Sequence, residues 1–240
     1  MNQKIHFISY GNKKFNNAKA RIKNQAIETN WFDSVKVYEP DDLTPEFKEE
    51  YKNILEMPRG GGYWIWKLDI IKQELNKIND NDILIYCDAG CVVNKNGETR
   101  FREYIDMLNN NDMSIISFQQ NGFEKVWTVK EIFNYFEIDI NSNIGKSGQL
   151  LGGIVLMRKN KHVDIIFDKY KNVLEFDRYL FTDEYNNKPQ DLTFRDNRHD
   201  QSIFSIIRKI YGSIIIKDET NKNHKNSAFI PFIAQRQRIN

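Results

Sequence analysis

The sequence predicts an α/β fold, a single domain whose mostly parallel central sheet is flanked by helices, and three observations predict it. Within Asp82–Val92, DILIYCDAGCV, the mainly apolar run Ile83, Leu84, Ile85 and Tyr86 reads as a short strand buried on both faces, the kind found in parallel sheets covered by helices. Residues 4–38 read as strand, crossover helix, strand, a unit that is right-handed almost without exception and implies a parallel pair. A helical stretch from about Trp64 to Ile78 then delivers the chain through Asn79-Asp80-Asn81 into the Ile83–Tyr86 strand, as a βαβ layout requires.

Taken in order, Lys4–Ser9 is a β-branched and aromatic run that stops at Tyr10-Gly11-Asn12, a Gly-assisted turn. Between Phe15 and Thr29 the apolar positions Ala18, Ile22, Ala26 and Ile27 fall near helical spacing, and Ser34–Tyr38 is the next strand. Thr44-Pro45-Glu46-Phe47 resembles a capped helix start with Pro in its first position, predicting a helix to Leu55. After Gly90 comes a polar turn, a helix over 99–108 with Phe101, Tyr104, Ile105 and Leu108 on one face, and a strand over Met113–Phe118. Val129–Phe136 reads as a short helix, Ser147–Arg158 as a strand entered through Gly152-Gly153, and Lys161–Leu174 as an amphipathic helix. The polar stretch 175–191 is irregular. A helix carrying Ser202, Ile203, Phe204, Ile206, Ile207 and Ile210, a strand over Ser213–Lys217 and a polar loop over 218–227 complete the chain.

Bulk properties narrow the function classes. A formal charge of +2, from 35 Lys+Arg against 33 Asp+Glu, is too small to make electrostatic nucleic-acid binding the main business. The two cysteines, Cys87 and Cys91, form neither a disulfide framework nor a convincing zinc site, which favours a reducing compartment. Residues 1–10 lack the apolar core of a signal peptide and no apolar run approaches the ~20 residues of a membrane span, so a soluble, cytoplasmic protein with no membrane span is expected.

Four stretches concentrate chemistry. Asp88 closes the central strand, where ligands of open α/β sheets settle; it either meets a cation or phosphate there or caps its own turn. Arg59–Lys67, RGGGYWIWK, joins three glycines that permit close backbone approach to Tyr63, Trp64 and Trp66, with Arg59 and Lys67 as bracketing cations. The alternatives are a platform on which a ring stacks while a phosphate is neutralised, or a turn and helix whose tryptophans fill the core. Gly152-Gly153 marks a bulge or the close passage of another group. Arg198-His199-Asp200 sets a cation, a titratable ring and a carboxylate side by side at the start of a helix, suited either to handling a polar substrate and taking a proton or to favouring the helix terminus. His224 stands alone in the late polar loop, and Arg236 and Arg238 form a pair that either clamps a diphosphate or is solvated.

Together Phe7-Ile8-Ser9-Tyr10-Gly11, the Arg59–Lys67 block, Ile85–Gly90, Gly152-Gly153 and Arg198–Ser205 occur in an order that resembles GT-A-type glycosyltransferases of the capsular-polysaccharide kind, bacterial or from large viruses. The resemblance spans nearly the whole chain and implies one GT-A-like, Rossmann-like domain over 1–240, with 1–118 as the nucleotide-binding half and 119–240 as the acceptor-binding half. It implies a nucleotide-diphosphate sugar donor, a glycan or other hydroxyl acceptor, and a Mn²⁺ or Mg²⁺ ion between the donor phosphates. On this resemblance Ser9 and Tyr10 lie near the nucleotide, Asp88 at the metal or ribose, Gly152 and Gly153 beside the sugar, and Asp200 near the acceptor hydroxyl as the catalytic residue. Arg59, Tyr63, Lys67, Ala89, Gly90, His199 and Gln201 complete the substrate-binding set. The family's Asp-x-Asp signature is here Asp88-Ala89-Gly90, with glycine in place of the second carboxylate, so further metal ligands must come from phosphates, water or a distant group such as His224. A metal-free variant would rely on Arg59, Lys67, Arg236 or Arg238. Two other classes share parts of this pattern: a carbohydrate-binding module stacking sugars on Tyr63, Trp64 and Trp66, and a nucleotidyltransferase with a strand-end Asp.

Overall fold

The computed structural model describes residues 2–235, which leaves Arg236 and Arg238 outside the described residues. A seven-stranded sheet has the path β2 (Ser34–Tyr38), β1 (Ile5–Tyr10), β3 (Ile83–Cys87), β7 (Ile154–Arg158), β5 (Ile115–Phe123), β6 (Gly148–Leu150), with β8 (Ile214–Lys217) also on β5. β1, β2, β3, β5 and β8 run one way, β6 and β7 the other. The sheet is thus mostly parallel, as expected, with β7 inserted antiparallel between β3 and β5. A small antiparallel pair, β4 (Val92–Val93) with β9 (Phe232–Ile233), has no counterpart in the sequence reading.

Every residue of β3 is buried, and its side chains alternate between two cores. Ile83, Ile85 and Cys87 face the helices Asn16–Thr29 and Glu98–Asn109, whereas Leu84 and Tyr86 face the helices Trp66–Leu75, Lys161–Phe176 and Asp200–Tyr211. The two-residue period of a strand therefore puts Asp88 on the Tyr86 side, toward the helices that begin near Lys67 and at Asp200.

Three elements differ from the sequence expectation for physical reasons. Gly60, Gly61, Gly62, Tyr63 and Trp64 all have positive φ, so this stretch forms a left-handed turn and the helix starts at Trp66 rather than Trp64. The predicted Thr44–Leu55 helix breaks at Tyr51 into Pro45–Glu50 and Lys52–Leu55, while the Thr44 hydroxyl caps its start as predicted by accepting from Phe47 N. The single strand expected over 147–158 divides into β6 and β7: Leu151 N still donates to Phe118 O of β5, but Gly152 N turns to Gln201 and Gly153 O receives Asp88 N, which makes a bulge at Gly152-Gly153. Among the described residues no helix is long and apolar enough to cross a membrane.

Candidate functional site

The carboxyl ends of the parallel strands β1, β2 and β3 open on one edge of the sheet, and the bulge before β7 lies at the same edge. Asp88 follows β3 there. Its side chain does not cap the turn: the Asp88 carbonyl closes it by accepting from Cys91 N, while the carboxylate accepts from the Tyr86 hydroxyl at 2.5 Å. Arg21, from the first helix, fixes the turn from behind by donating to the Ala89 and Cys91 carbonyls at 2.8 and 2.9 Å.

Lys67 is the hub. The residue is 4 % exposed, and its ammonium donates to Asp200 Oδ2 at 2.5 Å and to Gly152 O at 3.0 Å and stands 3.6 Å from Asp88 Oδ1. One cation thus ties together four segments: its own helix, the end of β3, the bulge and the start of the Asp200–Tyr211 helix. Burial opposes the charge, but Asp200 and Asp88 outweigh it and raise the Lys67 pKa, so the ammonium persists. Burial raises the Asp200 pKa against the opposing pull of Lys67. Asp88, with 37 % of its side chain exposed against 8 % for Asp200, is the carboxylate of this cluster that meets solvent.

The glycines of the bulge are required by close approach. A Cβ on Gly153 would come 2.8 Å from Asp88 Oδ2, and one on Gly152 would come 3.0 Å from the Gln201 Cβ. Gln201 accepts from Gly152 N at 2.9 Å and donates to Gln149 Oε1 at 2.6 Å. The fully buried Arg208 donates to the Leu150 and Leu151 carbonyls at 3.3 and 2.9 Å; burial lowers its pKa to about 9. Consecutive carbonyls from 150 to 153 are therefore all anchored, which makes the bulge a rigid wall of the site.

Arg59, Tyr63 and His199 assemble elsewhere, around a residue the sequence reading missed. Asp183 accepts from Arg59 Nη1 at 2.7 Å on both oxygens, from the Tyr63 hydroxyl at 2.7 Å, and from Asn186 at 3.2 Å. His199 Nε2 meets the same carboxylate at 3.0 Å. Arg59 also reaches Asp196 at 3.2 Å. Burial lowers the His199 pKa, Asp183 opposing and Arg59 assisting, so the ring is neutral near pH 7 and donates from Nε2. Burial and the Asp183 carboxylate raise the Tyr63 phenol to about 12. The His199 ring lies against Trp64 (centroids 5.3 Å, 30°) and Tyr63 (5.1 Å, 48°). Tyr63, Trp64 and His199 all hold positive φ, and such conformations cost non-glycine residues of order 1–3 kcal/mol each. Asp183 sits in an irregular polar stretch with no periodicity, so nothing in the sequence distinguished it from its acidic neighbours. Arg208 did carry a signal, a charge one helical turn from Phe204 on an apolar face.

The remaining expected residues separate. Trp66 is 4 % exposed and stacks on Tyr10 with centroids 3.7 Å apart, so it packs rather than offers a stacking surface, while Trp64 is half-buried with its ring against Gly60 and His199. Ser9 is fully buried on the opposite core face from Tyr10, and its hydroxyl has no hydrogen-bond partner among the described residues. Half-buried His224 accepts from Asn226 N within its own loop. No group of three His, Cys, Asp or Glu able to hold a metal ion occurs among the described residues. The donor set at the strand end still fits a Mg²⁺ or Mn²⁺ held mainly by phosphate oxygens and water, because Asp88 offers the single exposed carboxylate such an ion needs from a protein. A hollow of about 460 Å³, lined by Lys72, Asp80, Lys159, Asp164 and Asp168, lies at the other end of the sheet, where Lys72 and Asp168 pair at 2.7 Å.

No protein-family model matches the chain, and no curated protein matches it in sequence. Among the solved structures that resemble it in fold, two have TM-scores above 0.5. One is a glycosyltransferase involved in the glycosylation of the major capsid of PBCV-1, at TM-score 0.52 and 12 % identity, covering 95 % of this chain and 91 % of that one. The other is the apo form of mouse xyloside xylosyltransferase 1, at TM-score 0.52 and 11 % identity, covering 95 % of this chain and 96 % of that one. The chain shares the fold of these two enzymes; at such identities the likeness speaks for the fold alone.

Proposed function

We propose that the chain is a glycosyltransferase that moves a sugar from a nucleotide-diphosphate donor to a hydroxyl acceptor, in glycan or polysaccharide synthesis. The observation that carries the reading is the convergence of Asp88, Lys67, Asp200 and the Gly152-Gly153 bulge at the carboxyl ends of the parallel strands, where α/β sheets bind nucleotides. The shared fold of two glycosyltransferases supports it.

In this reading the nucleotide lies at the end of β1, and the donor sugar passes along the Gly152-Gly153 bulge, whose missing side chains let Asp88 and Gln201 approach the backbone closely. Asp88 is the residue that would hold a Mg²⁺ or Mn²⁺, whose chemistry when bound is to neutralise the leaving diphosphate. Asp200 is the acceptor-side carboxylate. With Oδ2 held by Lys67, its Oδ1 receives or orients the acceptor hydroxyl, taking the proton in an inverting transfer and only orienting the group in a retaining one. Lys67 keeps both carboxylates from repelling each other across the cleft.

A panel of nucleotide sugars tests this, scored for transfer and donor hydrolysis with Mn²⁺ and with EDTA. Asp88→Ala is expected to weaken donor affinity, and Asp200→Asn to abolish transfer while leaving donor affinity near normal. Consumption of a nucleoside triphosphate with release of pyrophosphate would instead establish a nucleotidyltransferase.

A further inference from the structure

Asp183 gathers donors from three separate parts of the chain. Arg59 and Tyr63 come from the left-handed turn, Asn186 from the irregular segment, and His199 from the residue immediately before Asp200. The turn and His199 are linked a second time by the rings of Tyr63 and Trp64. Lys67 N donates to Trp64 O at 3.1 Å, and His199 O accepts from Ser202 N at 3.1 Å. The assembly therefore grips both helix starts that face each other across the Lys67–Asp200 ion pair, one residue away from Asp200 and three from Lys67. His199 has φ 56° and ψ −123°, a backbone shape its side chain disfavours and which only surrounding contacts can maintain.

We propose that Asp183 and His199 are positioning residues which together aim the Asp200 carboxylate at Lys67 and at the acceptor hydroxyl, although neither meets a reacting atom. This rests on the sugar-transfer reading for its kinetic consequence, while its structural consequence stands without it. Asp183 supplies the charge that fixes Arg59 and the Nε2–H form of His199; the neutral ring, wedged against Trp64, then holds the backbone turn that places Asp200 first in its helix. Misplacement by a fraction of an ångström suffices to cost much of the rate of an oriented reaction, about 100-fold for 1 Å.

The test uses Asp183→Asn, which preserves shape and removes charge, with His199→Gln and the double variant; thermal melting first establishes that each is folded. The expected result is a fall in kcat of about 100-fold for each single variant with donor KM little changed, and a double variant no worse than either, because the two act as a unit. Multiplying losses, or wild-type kcat in folded Asp183→Asn, overturns the proposal. A second readout needs no activity: the ¹⁵N resonance of the Lys67 ammonium, sheltered by Asp200 in the wild type, is expected to weaken through exchange in Asp183→Asn. An unchanged Lys67 signal overturns the proposal. If the wild type transfers sugar from no donor, the functional reading fails and the Lys67 resonance still decides the positioning role.

Discussion

Replacing Gly153 with alanine perturbs Asp88 without touching it. The added Cβ would stand 2.8 Å from Asp88 Oδ2, where ordinary contact begins at 3.4 Å, so the carboxylate must retreat by roughly 0.6 Å. Gly153 is not among the residues with positive φ, so the backbone accepts alanine, and the colliding atom is the end of a side chain that can swing. The swing breaks or stretches the 2.5 Å bond from the Tyr86 hydroxyl and changes the 3.6 Å approach to Lys67. A hydrogen bond to a charged group is worth about 1.5–3 kcal/mol, which corresponds to a loss of about tenfold to a hundredfold in any affinity that depends on Asp88 holding its place. Isothermal titration with the preferred nucleotide sugar measures that affinity, and urea unfolding measures the fold. An unchanged donor affinity in a folded Gly153→Ala protein would refute the reasoning that Asp88 is aimed at the donor.

Other perturbations separate fold from site. Gly97→Ala meets the Pro231 backbone nitrogen at 2.3 Å, where no side-chain motion relieves the clash, and is expected to lower stability by about 1–3 kcal/mol in urea unfolding while leaving donor affinity unchanged. Lys67→Met leaves Asp200 buried without its partner and is expected to cost about 3–5 kcal/mol of unfolding free energy and to abolish transfer. Stability should fall with pH in two windows. His199 has a folded pKa below its unfolded ~6.5, so the unfolded chain binds more protons there and stability is lost as pH drops from about 6.5 toward the folded value. Burial raises Asp183 but His199, Tyr63 and Arg59 outweigh it and depress its pKa, so its contribution is present above the unfolded ~3.9 and is lost as pH falls below that through the folded value. Thermal melts across pH 3–8 check both, and His199→Gln should erase the upper window and narrow the lower one, because His199 is among the groups that depress Asp183.

The sequence made the sheet legible because its strands are uniformly apolar and its helices periodic. Ile83–Tyr86, the parallel Lys4–Ser9 and Ser34–Tyr38 pair, and the helix opened by Asp200 all lie within a few residues of where composition put them. Boundaries failed where tertiary contacts override local pattern. Trp64 has the character of a helix residue, yet three preceding glycines permit a left-handed turn that the His199 ring and Asp183 complete. Gly152-Gly153 announced a bulge; what the bulge serves, the approach of Asp88 and Gln201, depends on segments far away in the chain. Lys67 and Asp200, separated by 133 positions, meet only because two helices begin on the same face of β3. The bracketing cations of the glycine-aromatic block looked equivalent in sequence. In the fold Lys67 enters the buried cluster, while Arg59 is drawn to Asp183 and Asp196, an acidic pair whose spatial convergence no spacing encodes.

The edge marked by Asp88 is where a nucleotide-diphosphate sugar is expected to bind. Titrating the wild type and Asp88→Ala with a panel of nucleotide sugars, in the presence of Mn²⁺, measures this directly. Saturable binding of at least one donor, weakened in Asp88→Ala with the fold retained, is the predicted result. Binding of no nucleotide sugar, or a donor bound equally well by the variant, would contradict it.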